Sequence, residues 1–252
     1  LKFNTLFVGN VVRHFAEVSS TNVLALEEAA KTTPSEGTVI SADYQTAGRG
    51  QIGSSWYASP AQNLLLSVIF RPRWLVARQQ FSLSQAVALA VADTISHFAQ
   101  AQALVKWPND VYLNDQKLAG ILIQNSLTGQ YLQTSVAGIG LNVNEKAFPK
   151  ALPRPGSLRQ YLGRELDRQE VQHLLFQRLE ARYLQLKNTP AVIRADYLKN
   201  LYRYQEWHSF QEIISGRIFT GQIIGVQETG KLAIQMEQTH VQYFDLKEVA
   251  FL

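Results

Sequence analysis

Four short segments of this 252-residue chain bring together residue types that could do chemistry. The first is Gln45-Thr46-Ala47-Gly48-Arg49-Gly50-Gln51-Ile52-Gly53-Ser54-Ser55-Trp56, with glycines at 48, 50 and 53 and an arginine between two of them. Glycine admits positive φ and lets backbone approach a ligand closely. Successive N–H groups can then surround an anion, and a guanidinium adds a fixed fork for phosphate or carboxylate. No Gly-Lys-Ser/Thr end and no helix-period segment follows directly, so this is neither a P-loop nor a dinucleotide turn. By itself it reads equally as a surface loop. The second segment is Lys106-Trp107-Pro108-Asn109-Asp110. It reads first as a structural turn entering a hairpin. Its functional reading has Lys106 facing an anion and Asp110 a metal-bound phosphate or a basic nucleophile. In the third, Lys117 opens the otherwise apolar run Leu118-Ala119-Gly120-Ile121-Leu122-Ile123. In the fourth, Gly138 and Gly140 alternate before Asn142. Interior strand glycines leave room for a flat group beside the backbone. Both runs also fit a tightly packed, bulged sheet.

These segments need elements to hold them. Apolar spacing and a cap at Ser19 or Ser20 predict a helix over 21–31. A strand is expected over 38–42, a buried strand over 64–70 and a helix over 83–98. Pro108 favours extended backbone at 105–107. Residues 111–113 and 117–124 read as a hairpin around Asn114-Asp115, and a further strand follows at 131–139. Pro149, Pro153 and Pro155 mark a loop, then helices are expected at 167–186 and 190–202. After Trp207 short strands alternate with turns, at 212–214, 218–226, 232–234, 241–244 and 249–251, as in a small barrel or sandwich. A boundary near 205 divides an α+β part, 1–205, from an all-β part, 206–252.

Composition narrows the classes. With no Cys there is no disulfide framework, thiolate metal site, iron–sulfur cluster or cysteine nucleophile, and the chain suits a reducing cytoplasm. Hydrophobic residues at 46% suffice for a real core. No apolar run approaches the roughly 18 residues of a membrane span. The N-terminus, which starts at Leu1, lacks signal-peptide character. The net charge of +4 is spread without like-charge blocks and identifies no partner.

Ser19-Ser20-Thr21-Asn22, the Gln45–Trp56 loop, Lys106–Asp110, Lys117–Gly120 and Gly138–Asn144 occur in the order seen in biotin protein ligases. The chain resembles biotin–[acetyl-CoA-carboxylase] ligases over nearly its whole length. The resemblance implies an α+β catalytic domain like that of class II aminoacyl-tRNA synthetases, followed by an SH3-like domain. It implies that biotin and ATP give biotinyl-5′-AMP, and that biotin then passes to one lysine of a biotin carboxyl carrier domain. By similarity Ser20, Thr21, Asn22, Gln45, Gly48, Arg49, Gly50, Gln51, Lys117, Gly120 and Gly138 line the biotin site. Arg49, Trp56, Lys106, Asn109, Lys117, Gly140 and Asn142 lie at the nucleotide. Lys117 and Arg49 would offset charge at the α-phosphate, and Asp110 would orient the attacking lysine or take its proton. Mg²⁺ is expected on the ATP phosphates, near Asp110, rather than in a protein cage. Related chains often read Gly-Arg-Gly-Arg-x-Gly-Arg; here Gln51 and Ser54 replace two arginines, and Lys117 with backbone N–H groups is expected to compensate. Nineteen residues before Ser20 leave no space for a DNA-binding domain, so no sequence-specific DNA binding is expected, nor any membrane partner, and the protein is a monomer or homodimer. The rival readings are a lipoate ligase, whose Arg-Arg-x-x-Gly-Gly-Gly loop is absent, and a non-catalytic nucleic-acid or small-molecule binding protein.

Overall fold

The structure is a computed structural model that describes residues 4–51, 53–236 and 240–252. Its larger sheet has the order β1-β2-β3-β7-β6-β5-β4. Strand β1 (Val12–Val18), helix α1 (Thr21–Lys31) and strand β2 (Thr38–Gln45) form a parallel β-α-β unit. The remaining pairings are antiparallel, through β3 (Leu64–Phe70), β4 (Leu104–Lys106), β5 (Asp110–Leu113), β6 (Gln116–Thr128) and β7 (Tyr131–Leu141). The sequence reading has no counterpart of β1. This strand lies at the sheet edge with Arg13, His14, Ala16 and Glu17 exposed, so it lacks the apolar signal of a buried strand.

Side-chain alternation gives the sheet two working faces. Leu64, Leu66, Val68 and Phe70 of β3 join the main core beneath helix α2 (Phe81–Ala99). Ile69 points the other way and packs with Ile40, Val136 and Ala25 of α1. Helix α2 is buried along most of its length because α4 (Arg168–Asn188) and α5 (Pro190–Lys199) cover it. A short helix α3 (Leu158–Leu162), absent from the sequence reading, follows the proline loop; Ser157 caps it by accepting from the Gln160 N–H.

The second sheet is wholly antiparallel, with β8 (Trp207–Glu212), β9 (Ile218–Val226), β10 (Leu232–Met236), β11 (Val241–Phe244) and β12 (Val249–Phe251) in the order β11-β10-β9-β8-β12. The strand expected at 212–214 lies earlier. Trp207 to Gln211 pair with β9, while Ile213 and Ile214 are exposed in the turn. The buried cluster nevertheless runs continuously from α2 into Phe210, Ile223, Ile234 and Phe244 of this sheet. Among the described residues, no helix is long and apolar enough to cross a membrane.

Candidate active site

The sheet face that carries α1 is where the alternating glycines fall. Gly120 of β6 pairs with Gly140 of β7, and Leu122 pairs with Gly138. These glycines remove side chains from one face and leave a shallow floor. Asp110 pairs with Gly120 and Lys106 with Asp110, so both side chains project onto this same face. Lys117 would miss it under strict alternation. A register shift in the β5–β6 pairing sets Lys117 opposite Tyr112 and turns it onto the Asp110 face. Its Nζ then lies 2.7 Å from Asp110 Oδ1. Residues 154–156 pin this segment further, with the Lys117 N–H donating to the Arg154 carbonyl at 2.7 Å and the Gly156 N–H to the Lys117 carbonyl at 3.0 Å.

A cavity of about 360 Å³ stands on the glycine floor. Its lining includes Ser20, Thr21, Asn22, Gln45, Arg49, Gly50, Gln51, Trp56, Lys106, Asn109, Asp110, Lys117, Gly120, Gly138 and Gly140, nearly all the residues singled out from the sequence. Gly48 and Asn142 are not among the lining residues. Gly48 is instead where backbone packs on backbone: a Cβ there would stand 2.6 Å from the Trp56 carbonyl oxygen. Asn142 is buried just past the end of β7 and donates from Nδ2 to the Gly156 carbonyl at 3.0 Å, which ties it to the loop that holds Lys117.

Helix α1 opens into the cavity. Ser20 occupies the N-cap position but makes no side-chain cap, which leaves its hydroxyl to the cavity. The capping acceptor is Gln45 Oε1, which takes the Thr21 N–H at 2.7 Å and the Thr21 hydroxyl at 3.1 Å. Asn22 donates from Nδ2 to the Leu122 carbonyl at 3.2 Å and lies so close to Gly138 that a Cβ there would stand 2.6 Å from Nδ2. The Trp56 ring covers the other two glycines: a Cβ at Gly120 would stand 2.7 Å from it, and one at Gly140 would overlap it. Asn22 Oδ1 and Trp56 Nε1 are buried without a hydrogen-bond partner. Native proteins rarely leave such groups unmet, so orphaned atoms beside a cavity point to a bound polar ligand.

The lining carries four cations, Arg49, Lys106, Lys117 and Lys247, against one carboxylate, Asp110. Such an excess in a concave site favours a polyanion. Lys106 is packed between the rings of Tyr112 and Phe251, 4.9 and 5.0 Å from their centroids, and donates to Tyr112 Oη at 3.2 Å. Burial holds its pKa below the ordinary lysine range, opposed by the charge of Asp110 and reinforced by Arg203, Lys117 and Arg154. Burial, then Asp110, pushes the Tyr112 phenol up to about 12, so it stays a neutral partner. Among the described residues no cluster of three or more His, Asp and Glu could hold a metal. The cavity carboxylate is engaged by Lys117, so the residues present fit a divalent ion carried on a nucleotide's phosphates.

The first segment is a small hairpin: Arg49 and Ser55 bridge, the Gly50 N–H donates to the Ser54 carbonyl at 2.9 Å and the Ser54 N–H to the Gln51 carbonyl at 2.7 Å. Ile52 lies outside the described residues. Sequence reasoning missed Lys247, Val249, Ala250 and Phe251, which bring the second sheet to the cavity. No local signal marks them, since a charge in a turn ordinarily means a solvated surface. A second cavity, of about 500 Å³, lies beside β1, but there His14 and Arg168 are already engaged by Asp43, at 3.2 and 3.0 Å.

Residues 14–142 match the Biotin/lipoate A/B protein ligase family. The bifunctional ligase/repressor BirA of Bacillus subtilis is 31% identical over 227 residues, covering 88% of this chain and 68% of that protein. The biotin–[acetyl-CoA-carboxylase] ligase of Mycobacterium tuberculosis is 35% identical over 185 residues, covering 72% of this chain and 67% of that protein. In fold the chain is similar to the biotin protein ligase of Aquifex aeolicus, solved with biotin and ATP, with a TM-score of 0.78, 24% identity, and 96% and 98% of the two chains covered.

Proposed function

This chain belongs to the biotin/lipoate A/B protein ligase family, and from that premise we propose that it is an ATP-dependent biotin–[acetyl-CoA-carboxylase] ligase. The observation that carries the reading is the glycine-floored cavity in which Lys117, turned inward by a bulge, meets orphaned polar atoms and an excess of positive charge. Biotin needs an apolar slot ending in a polar, amide-like head. The Trp56 ring, packed directly on Gly120 and Gly140, supplies an apolar wall for biotin in place of the nucleotide-side role that the resemblance implies for Trp56 and Gly140, and Asn22 Oδ1 is a buried acceptor for a ureido N–H.

In the first step an oxygen of the biotin carboxylate attacks the α-phosphorus of ATP; a new P–O bond forms, the bond from the α-phosphorus to the α,β-bridging oxygen breaks, and pyrophosphate leaves with that oxygen and the electron pair. This brings anions together, and Lys117 and Arg49 offset the repulsion as charge builds. Magnesium bound to ATP neutralises part of the phosphate charge. In the second step the amine of a carrier-domain lysine attacks the acyl carbon and AMP leaves. An ammonium cannot attack, and the free pKa of about 10.4 leaves little neutral amine at pH 7. Asp110, once Lys117 turns to the adenylate, is the carboxylate that orients the amine and accepts its proton. The acceptor is a lysine of a biotin carboxyl carrier domain, and the catalytic part, 1–205, works with the small part, 206–252, whose residues reach the cavity.

Biotin-dependent exchange of pyrophosphate into ATP tests this reading. Exchange with biotin and not with lipoate is the expected result. Exchange with lipoate alone would make the chain a lipoate ligase, and exchange with neither acid would leave a binding protein.

A further inference from the structure

A further cavity, of about 180 Å³, shares no lining residue with the candidate active site. Three pieces of the chain enclose it: the start of α2 with the 3₁₀ turn Ala77–Gln79 before it, the junction of α4 and α5, and the turn between β9 and β10. A spacing of three residues sets Gln79, Ser82 and Gln85 along the side that lines it. Two of the three are engaged. Gln79 donates from Nε2 to Glu228 at 2.6 Å, and the Ser82 hydroxyl donates to the Gln79 carbonyl at 2.6 Å. Gln85 is only 5% exposed, and among the described residues its amide has no hydrogen-bond partner. An amide offers two donors and an acceptor, and native interiors rarely leave such groups unmet.

The rest of the lining defines what would meet that amide. Trp74, Leu75, Leu186, Pro190 and Val226 give apolar walls. Lys187 and Arg194 line the cavity but are themselves exposed, so they stand at its mouth, and among the described residues neither has an ion pair. The carboxylate in the lining, Glu228, is already held by Gln79. The cavity is therefore an apolar slot with a neutral amide at its inner end and two cations at its outer end. Roughly 150 Å³ of cavity is enough to take up a benzene ring, so the slot accommodates one substituted ring.

We propose that this cavity is a second small-molecule site, which takes a single-ring carboxylate bearing a hydrogen-bonding group opposite the carboxylate. The inner group meets the Gln85 amide, the ring lies against Trp74, Leu186 and Val226, and the carboxylate faces Lys187 and Arg194 at the mouth. The site is independent of the ligase reading. Its occupant touches both the start of α2 and the β9–β10 turn. That turn carries Gly230, which packs on Phe81 of α2 and accepts the Trp107 Nε1–H. An occupant thus fastens the second sheet to the first, and a ligand that binds only the folded chain raises Tm with its concentration.

The probe is 4-hydroxybenzoate, titrated into the ¹⁵N-labelled full chain. Saturable shifts of the Gln85 side-chain amide resonances and a Tm that climbs with probe concentration are expected. Excess biotin should leave the affinity unchanged. Gln85→Leu keeps the bulk and removes the unmet amide, so its Tm should be equal or higher, while its Kd for the probe should rise by roughly tenfold or more. The exposed changes Lys187→Gln and Arg194→Gln should each raise Kd by roughly fivefold, the scale of one charge-assisted contact at a wet rim. Benzoate, which lacks the inner hydroxyl, and 4-hydroxybenzamide, which lacks the charge, should both bind more weakly than the probe. Without probe, all three variants should keep wild-type biotin-dependent exchange. No saturable shift at Gln85 up to about 10 mM probe would overturn the proposal. Unchanged affinity in Gln85→Leu, or displacement of the probe by biotin, would overturn it equally, the latter by placing the probe on the glycine floor.

Discussion

Lys117 and Asp110 form a close pair on the cavity floor, and each limits what the other can do while the site is empty. Removing the lysine leaves the carboxylate unopposed where a triphosphate must sit. Lys117→Ala is therefore expected to lower the rate of adenylate formation by at least about tenfold, near 1.4 kcal/mol of lost transition-state stabilisation. Single-turnover release of pyrophosphate measures this, and near-wild-type release would remove Lys117 from the chemistry. Lys106 makes a different prediction, because its charge is precarious. Burial is the main force that lowers its pKa, with Arg203, Lys117 and Arg154 adding to it and Asp110 opposing. As pH rises, Lys106 loses its proton sooner than a free lysine with pKa about 10.4. Nucleotide affinity should accordingly fall on the alkaline side before ordinary lysines titrate, and Lys106→Arg should abolish that limb. An identical alkaline profile for KM of ATP in both proteins would count against it. The sign for stability is opposite. Between the lowered folded value and the unfolded value the unfolded chain binds more proton, so this group's contribution to stability improves with pH and is lost on acidification through the folded value. Lys117, Asp110 and the glycines could be read from the sequence because their types are unusual in their setting, a charge opening an apolar strand and alternating glycines ending one. Lys247 could not, since what makes it a site residue is the docking of a second sheet some hundred residues downstream of Gly140.

At the scale of elements the site depends on alternation and on one break in it. The glycines on β6 and β7 share a face through regular pairing, whereas Lys117 joins them through the register shift opposite Tyr112. Strand existence was readable from apolar runs at 64–70 and 131–139. A bulged sheet is one ordinary way to pack the 117–123 run, but its effect on Lys117 follows from pairing partners that one-dimensional pattern does not contain. Edge strand β1 left a weaker trace because one row of its backbone groups and most of its side chains face outward. The glycine floor yields the element-scale prediction. A methyl group at Gly140 overlaps the Trp56 ring, which must then move into the cavity. Gly140→Ala is expected to raise the KM for biotin by roughly tenfold or more, while the KM for inorganic pyrophosphate in the reverse reaction changes less; overpacking of this kind costs about 1–3 kcal/mol. Equal losses for both ligands would mean that the sheet as a whole had shifted. Normal biotin binding would mean that Trp56 is not a wall of the slot.

At the scale of the molecule, the second sheet is attached through a few specific contacts as well as a shared core. Trp107, in the same turn as Asn109 and Asp110, donates from Nε1 to the Gly230 carbonyl at 2.9 Å in a buried setting. Gly230 has φ +98 and packs so tightly that a Cβ would stand 2.8 Å from the Phe81 ring of α2. Gln79 donates to Glu228 at 2.6 Å beside it, and Arg203 to the Leu252 carbonyl at 2.8 Å at the other end. The turn that presents Asp110 is thus also an anchor for the sheet that presents Lys247 and Phe251. Trp107→Phe removes the donor and leaves the Gly230 carbonyl unmet, at a cost of about 1–3 kcal/mol. A Tm lowered by several degrees follows at about 2–4 °C per kcal/mol. The functional consequence is specific. Biotin, seated on α1, Trp56 and the glycine floor, should bind the variant almost normally. ATP, proposed to sit where both sheets line the cavity, should bind less tightly. An unchanged affinity for ATP at a lowered Tm would show that Trp107 serves stability alone.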